Sequence, residues 1–362
     1  MSDPAPLGDP TRDLPHAFGG PAGTGGLRVE PEDFQVDEEL GYGPSGSGEH
    51  VFLRLRKRNL NTHDLARRIA RLAGVPQVAV GYAGLKDKRA LASQAFTVQL
   101  AGRPEPDWTA LQDADLQVLE AVRHHRKIRR GALRGNRFRL CVRAFAGDAA
   151  VLTERLAQAA ACGVPNYFGP QRFGFAGNNL ARARQLFDGR LRVQREQRGL
   201  LLSAVRSWLF NRVLAARVAG CTWDRALAGE VFQLDGTQRQ FGPEPLDAAL
   251  GKRLAELDIH PTGPLPGRAS RALAPSGDAA AVEAAALRDQ GSWIEGLQRA
   301  GLDADRRALR LRVRELTWAL EGEDLALSFA LDAGAYATAV LRELVDTGAD
   351  QGDGRDLRDN NT

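Results

Sequence analysis

The sequence is poor in the residues that build disulfide-bonded or metal-bound folds. Its 362 residues include three cysteines, Cys141, Cys162 and Cys221, which are far apart and form no Cys-x-x-Cys pair. Scattered cysteines in odd number support neither a disulfide framework nor a zinc knuckle, so we expect small buried side chains in a reducing compartment. The six histidines never fall at a metal-ligand spacing, and we predict no bound metal.

A long apolar run is also missing. No stretch approaches the roughly 18 apolar residues that a membrane helix requires. Residues 1–26 are rich in proline and glycine and lack the apolar centre of a signal peptide. We therefore expect a cytoplasmic protein that does not engage a membrane.

Three common catalytic or nucleotide-binding motifs are absent or defective. Gly41-Tyr-Gly-Pro-Ser-Gly46 has the spacing of a dinucleotide-binding loop, but Pro44 lies inside it and a strand is predicted where a helix is needed. Gly251-Lys252 lacks the hydroxyl residue and the upstream glycine of a P-loop. The Gly-x-Ser-x-Gly turn of serine hydrolases does not occur. The sequence thus gives no support to a nucleotide cofactor or a serine nucleophile.

The charge that is present is mildly positive and unevenly spread. The chain has 49 Lys and Arg against 45 Asp and Glu, a formal net charge of +4. Most of the cations are arginines, whose planar guanidinium groups suit phosphates and base edges. Because nucleic-acid binders concentrate basic residues on one face, this composition is compatible with an RNA partner without proving one.

Apolar periodicity predicts strands alternating with helices between two flexible tails, residues 1–26 and 347–362. A helical stripe of Leu65, Ile69 and Leu72 begins at an N-cap, Asn61, and ends at Gly74. A longer helix is predicted over residues 201–218, and an extended loop over 259–278. Strands are predicted over residues 51–56, 95–100, 138–143, 309–313 and 325–331.

The C-terminal segment indicates a discontinuous domain. From residue 309 to 346 there are too few residues to form a core alone, so we expect this segment to pack on the first part of the chain. The predicted division is therefore one domain made of residues 27–161 and 309–346, with residues 162–308 inserted as a second domain.

One acid stands in a cationic, glycine-containing segment, Gly81-Tyr-Ala-Gly-Leu-Lys-Asp-Lys-Arg-Ala90. The two glycines allow a tight turn beside a ligand. Lys86, Lys88 and Arg89 flank Asp87 and favour its charged carboxylate, which would serve as a nucleophile or base while the lysines bind phosphates. The alternative is a solvated, salt-bridged surface turn.

A second segment, residues 123–139, contains no acid and many arginines. Its self-repulsion must be relieved by solvent or by an anionic partner, and Asn136 among the cations could bind a base edge. The predicted RNA-binding residues of this segment are Arg126, Lys127, Arg129, Arg130 and Arg134.

A third segment, residues 164–174, interleaves Tyr167, Phe168 and Phe173 with Gln171 and Arg172. Rings beside hydrogen-bonding groups suit stacking on unpaired bases, with Arg172 as a further RNA contact. An aromatic core turn is the other interpretation.

Together these segments resemble the TruD family of transfer RNA pseudouridine synthases, in order over nearly the whole chain. An entry motif lies at residues 28–36, followed by Gly84-Leu-Lys-Asp-Lys-Arg89 and Gly131-Ala-Leu-Arg-Gly-Asn-Arg-Phe138. The inserted-domain signature covers residues 165–174 and 203–211, and the C-terminal motif residues 333–343. The resemblance implies an α+β fold: a catalytic domain with a mixed, largely antiparallel sheet and an inserted α/β domain.

The resemblance also implies roles. It makes Asp87 the catalytic residue and places Phe34, Asn136, Tyr336 and Arg28 at the substrate. Lys86 and Lys88, which flank Asp87, are predicted to contact the substrate as well. Tyr336 stands where the family is expected to have Phe, and Arg28 where it is expected to have Lys; each keeps a ring or a cation. Core packing is the other interpretation of Phe34 and Tyr336.

The implied reaction converts uridine to pseudouridine, at position 13 of a transfer RNA such as the glutamate acceptor, by a monomer with no obligate protein partner. Because the isomerisation neither gains atoms nor oxidises anything, no cofactor is expected. The alternatives are a non-catalytic RNA-binding protein and a metal-dependent nuclease, which would need several clustered carboxylates.

Overall fold

A computed structural model describes residues 8–100, 102–269 and 273–348 of the chain. The outer parts of both predicted tails, residues 1–7 and 349–362, therefore lie outside the described residues. The chain divides into two compact units. The sheet unit comprises residues 23–148 and 313–335, and the helical unit comprises the described residues up to Ala22, from Ala149 to Arg312 and from Tyr336 onward. The division predicted from the sequence stays a prediction.

Fifteen strands and eight α-helices occur among the described residues. The strands are β1 (Gly23–Leu27), β2 (Phe34–Glu39), β3 (His50–Arg58), β4 (Val80–Tyr82), β5 (Leu91–Gln99), β6 (Leu116–His124), β7 (Gly135–Gly147), β8 (Val164–Pro165), β9 (Phe232–Leu234), β10 (Gln240–Phe241), β11 (Ile259–Leu265), β12 (Asp305–Ala308), β13 (Arg310–Leu311), β14 (Arg314–Glu321) and β15 (Asp324–Asp332). The helices are α1 (Thr62–Leu72), α2 (Ala149–Cys162), α3 (Asn178–Phe187), α4 (Arg195–Ala219), α5 (Ala248–Ala255), α6 (Gly277–Leu287), α7 (Gly291–Arg299) and α8 (Ala337–Leu344).

The sheet unit is built on one nine-stranded sheet. Its strand order is β14-β15-β7-β2-β5-β3-β6, with β1 also paired to β7 and β4 to β5. The β2–β5 pair is parallel, and the other pairs are antiparallel. This confirms the predicted α+β class with a mixed, largely antiparallel sheet. The predicted N-terminal tail overlaps strand β1 at residues 23–26.

Helix α1 packs its apolar stripe into one core cluster with residues of β3, β4 and β5. Asn61 caps the helix, because its side chain accepts a hydrogen bond from the main-chain nitrogen of His63 at 2.9 Å. Leu65 and Ile69 are fully buried against the apolar residues of β3. Gly74 ends the turn with a φ of +62°, a conformation that glycine adopts without strain.

The helical unit packs α4 and its neighbours around an aromatic and aliphatic core. Its four-stranded sheet has the order β10-β9-β11-β12. The predicted loop over residues 259–278 is wrong for its first part, which forms β11. Prolines suggested a loop, but Pro261 still accepts a hydrogen bond from the nitrogen of Leu309 at 2.8 Å, and Thr262 donates to Val231 at 3.1 Å. Strand pairing survives because only the donor of each proline is lost.

Two composition-based predictions can be compared with the structure. The prediction that the cysteines are buried is wrong: Cys141 and Cys162 are half-buried and Cys221 is exposed. Separately, no helix in residues 8–100, 102–269 or 273–348 combines the length and apolarity needed to cross a bilayer.

Candidate active site

Asp87 lies in the loop between β4 and β5, and this loop is tied to its surroundings on both sides. The amide of Gln94 donates to the carbonyl oxygen of Gly84 at 2.7 Å, and the hydroxyl of Thr62 accepts from the nitrogen of Lys86 at 3.1 Å. In β4, directly before the loop, a Cβ on Gly81 would lie 2.4 Å from the carbonyl oxygen of Ile128, so the close approach requires glycine. The main chain of the loop is therefore held in place, whereas the Asp87 side chain is 63% exposed.

Arg28 pairs with Asp87 and lies over a ring. Its Nη2 donates to Oδ2 of Asp87 at 2.8 Å, and its guanidinium carbon is 4.0 Å from the centre of the Phe34 ring. Arg28 has a φ of +58°, a left-handed conformation that is unusual for a residue with a side chain. Such strain costs on the order of 1–3 kcal/mol and clusters at functional sites. The pair joins an exposed carboxylate to a cation and an aromatic face.

Phe34 is 3% exposed, with its edge toward Phe138 at a centroid distance of 6.0 Å. The guanidinium group of Arg28 covers one face of the ring. A base that stacked on Phe34 would therefore have to displace Arg28, and the predicted contact between Phe34 and the substrate stays a prediction.

Lys86 points into the protein, although its neighbour Asp87 is exposed. Its Nζ donates to Oδ1 of Asn136 at 2.7 Å and lies 3.4 Å from Oε1 of Glu38. Glu38 and Asn136 are register partners on β2 and β7, and Glu38 also accepts from the nitrogen of Ala95 at 2.9 Å. Burial lowers the pKa of Lys86, an effect that the charge of Glu38 opposes. Lys86, Asn136 and Glu38 thus form a buried polar cluster behind the Asp87 loop.

Two residues of this region were missed by the sequence analysis. Glu38 is 2% exposed, and Lys57 is fully buried with its Nζ 2.8 Å from the carbonyl oxygen of Asp87. A signal for Lys57 existed, because it continues the alternation of Val51, Leu53 and Leu55 on the apolar face of β3.

The basic segment between β6 and β7 lies largely at the surface. Arg126, Arg129, Arg130 and Arg134 are exposed, as is Lys88 in the Asp87 loop. The guanidinium carbon of Arg126 is 4.9 Å from the centre of the Tyr42 ring. The ammonium group of Lys127 donates to the carbonyl oxygen of Val78.

Two histidines on paired strands predict acid sensitivity. Burial lowers the pKa of both His50 and His124. At His50, Glu49 opposes this effect, while Lys127 and His125 add to it. At His124, His125 and Arg126 add to it. A lowered pKa in the folded state means that the unfolded chain binds these protons more tightly, so stability is full above about pH 6.5 and falls as the pH drops below it.

We expect the urea midpoint to decrease between pH 7.5 and pH 5.5, where ordinary carboxylates with pKa values near 4 stay ionised. A His124→Phe protein, which keeps a ring beside Tyr42, should lose less than the unaltered protein over this interval. An equal loss in both proteins would contradict the assignment to His124.

The aromatic segment of the helical unit, residues 164–174, does not present its rings for stacking on bases. Tyr167, Phe168 and Phe173 are 2%, 6% and 0% exposed, so the core-turn interpretation is correct for these rings. The exposed ring is Phe175, at 86%, which the sequence analysis missed. Composition could not separate these rings, and a tight turn at Gly174, with a φ of +71°, lies between the buried Phe173 and the exposed Phe175.

Tyr336 belongs to the helical unit, at the N-cap position of α8. Its hydroxyl accepts a hydrogen bond from Nη2 of Arg172 at 2.7 Å, and Nη1 of Arg172 donates to the hydroxyl of Ser203 at 3.1 Å. The guanidinium carbon of Arg172 also lies 5.3 Å from the centre of the Phe168 ring. The hydroxyl that distinguishes Tyr336 from the expected Phe therefore has a partner.

No group of three or more His, Cys, Asp or Glu side chains is placed to hold a metal ion within the described ranges.

Five of the predicted site residues lie close together in the sheet unit: Arg28, Phe34, Lys86, Asp87 and Asn136.

Comparisons with known proteins agree over most of the chain. The family profile described as "tRNA pseudouridine synthase D (TruD)" matches residues 18–192 and 178–344. A protein named tRNA pseudouridine synthase D from Methylococcus capsulatus is 51% identical over 336 residues, 92% of this chain and 94% of the relative. One of the same name from Nitrosococcus oceani is 51% identical over 337 residues, 91% of this chain and 94% of the relative.

A solved structure shares the fold. The crystal structure of the putative tRNA pseudouridine synthase D from Methanosarcina mazei superposes with a TM-score of 0.72 at 22% identity, over 96% of this chain and 99% of that one. The profile match and the curated relatives are sufficient to assign a family. This chain belongs to the TruD family of tRNA pseudouridine synthases.

Proposed function

We propose that this protein converts uridine to pseudouridine in tRNA, at position 13, with Asp87 as its catalytic residue. The observation that carries the proposal is an exposed carboxylate held 2.8 Å from Arg28, whose guanidinium group covers the ring of Phe34, in a chain of this family. The arrangement places an anion and an aromatic ring in direct contact with the same cation.

The reaction is an isomerisation with no change in composition. The bond between C1′ of the ribose and N1 of the uracil breaks, the base turns, and C5 of the base bonds to C1′. N1 gains a proton, and C5 loses one. Asp87 begins the reaction either as a nucleophile at C1′ or by removing a ribose proton, and its charged form serves both routes. Neither route needs a redox partner or a phosphoryl donor.

Arg28 supports the first step by keeping a positive charge beside Asp87. The target uridine must leave its stack to reach Asp87. A flipped base could stack on Phe34 only after the guanidinium group of Arg28 moves off that ring. The buried contact of Lys86 with Asn136 sets the amide orientation of Asn136, which we propose as a further substrate contact.

Exposed cations provide the RNA-binding surface in this proposal. On the sheet unit they are Lys88, Arg126, Arg129, Arg130 and Arg134, with Lys127 beside them. Arg172 would contribute from the helical unit. Phosphate contacts of this kind make tRNA affinity fall with salt concentration.

We further propose that the protein acts as a monomer in the cytoplasm, where its tRNA substrate is made. Its mass in solution, measured by light scattering, tests the oligomeric state.

Tritium release tests the function directly. Purified protein is incubated with tRNA containing 5-tritiated uridine and excess EDTA, and the expected result is one tritium released per tRNA with the strand intact. Binding without release would indicate a non-catalytic RNA-binding protein. Strand cleavage that EDTA abolishes would indicate a metal-dependent nuclease.

Tyr336 offers a modest test of the ring's role. We expect Tyr336→Phe to keep the tritium-release rate within about fivefold, because it loses one exposed hydrogen bond to Arg172 worth about 1 kcal/mol. Tyr336→Ala removes the ring and should slow release at least about tenfold if the ring contacts the substrate. Equal rates for the two variants would argue that this ring has no part in the reaction.

A further inference from the structure

Lys57 occupies a core position yet carries an ammonium group. It lies on β3 between Ala92 of β5 and Leu116 of β6, and its exposed fraction is 0%. Val51, Leu53 and Leu55 share its face of the strand and belong to the hydrophobic core. Burying an ammonium group is costly unless its hydrogen bonds are satisfied, so a lysine here requires a specific role.

Both hydrogen bonds of Lys57 go to main-chain carbonyl groups. Its Nζ donates to the oxygen of Leu60 at 2.7 Å and to the oxygen of Asp87 at 2.8 Å. Leu60 directly precedes the N-cap of α1, and Asp87 lies in the β4–β5 loop. One buried group therefore connects the end of β3, the start of α1 and the main chain of Asp87.

A second contact also joins the β3–α1 connection to the Asp87 loop. Thr62, the first residue of α1, accepts from the nitrogen of Lys86, so two consecutive residues of the loop are held from the β3–α1 connection. The Asp87 side chain itself is 63% exposed and has no core packing to orient it. Its direction toward Arg28 depends on how its main chain is held.

We propose that Lys57 is a positioning residue, which fixes the main chain of Asp87 so that the carboxylate is presented beside Arg28. This inference rests on the proposed role of Asp87. Burial lowers the pKa of Lys57 to about 8, while the charge of Asp87 raises it and that of Lys86 lowers it further. The ammonium form, whose hydrogen bonds to the two carbonyl groups are charge-assisted and therefore stronger, predominates below about pH 8 and is lost as the pH rises through that value.

The experiment compares Lys57→Met with the unaltered protein and with Lys252→Met, an exposed lysine on α5 that serves as the matched control. We expect Lys57→Met to slow single-turnover tritium release at least about 100-fold, since small misplacements of catalytic groups have effects of that size. Its affinity for tRNA should change less than about threefold. Amide hydrogen exchange should accelerate in residues 83–90 and not in the helical unit.

Stability and pH separate positioning from a general structural role. The folded-state pKa of Lys57 lies below its ordinary value, so its charge opposes folding at neutral pH, and Lys57→Met should melt within a few degrees of the unaltered protein. The rate of the unaltered protein should fall as the pH rises through about 8, and this fall should be absent in Lys57→Met.

Each outcome decides the proposal. The proposal is overturned if Lys57→Met releases tritium within threefold of the rate of the unaltered protein and its amide exchange in residues 83–90 is unchanged. Should Lys57→Met fail to fold, Lys57→Leu, which matches Leu53 and Leu55 on the same face and has no donor, must show the slow rate and the fast local exchange. If the unaltered protein releases no tritium, the proposed function fails, and the exchange measurement alone then decides whether Lys57 holds the loop.

Discussion

Replacing Asp87 by asparagine is expected to abolish turnover while the protein still binds tRNA. The amide has nearly the shape of the carboxylate but cannot act as a nucleophile or as a base. Losing a central catalytic group lowers rates by about 10⁴-fold or more, so single-turnover tritium release should fall by at least that factor. The affinity for tRNA should stay equal or increase slightly, because one negative charge is removed and Arg28 becomes available to a phosphate.

The measurement uses one tRNA preparation for both rate and binding. Asp64→Asn is the matched control: Asp64 is on α1 in the same unit, its side chain is 53% exposed, and it pairs with a neighbouring surface arginine, Arg67. We expect Asp64→Asn to keep the full rate. Turnover of Asp87→Asn within tenfold of the unaltered protein would remove Asp87 from the mechanism.

The second large effect concerns the buried pair behind the loop. Lys86→Met leaves Glu38, 2% exposed, without its cation and leaves Asn136 without its donor. Breaking a buried ion pair by removing one partner costs about 3–5 kcal/mol, so the free energy of unfolding measured in urea should fall by that amount. Tritium release should fall as well, because the amide of Asn136 is no longer held.

A double variant separates these two effects. Combining Lys86→Met with Glu38→Gln removes the uncompensated charge and should recover most of the stability. Activity should not recover, since Asn136 still lacks Lys86. Lys252→Met, which breaks an exposed pair with Glu256, should change stability by less than about 1 kcal/mol. A loss below about 1 kcal/mol for Lys86→Met would show that the pair is not a buried ionic contact.

Local sequence signals predicted what depends on neighbours in the chain. Asn61, the stripe of Leu65 and Ile69, and Gly74 predicted α1, and the alternation of β3 predicted a strand, because capping and periodicity act within a few residues. The prolines of β11 misled the prediction, since the pairing that stabilises that strand comes from distant segments.

The candidate site was predicted only in part for the same reason. Asp87 and its cations were visible as a local cluster, but the sequence could not show that Lys86 turns inward to Glu38 and Asn136. That contact requires β2, β5 and β7 to be adjacent, and their order is a property of the whole sheet. Phe34 entered through family resemblance, and Asn136 through its basic segment as well as that resemblance. The burial of Lys57 could have been predicted from the alternation of β3, but its contact with Asp87, like the role of Glu38, required the three-dimensional structure.

Pseudouridine at position 13 of tRNA, measured in cells that lack the protein, tests the central claim most directly. We predict that the modification is absent, that the intact gene restores it, and that a gene encoding Asp87→Asn expressed at the same level does not. Modification that persists without the protein, or that returns with the asparagine variant, would contradict the account.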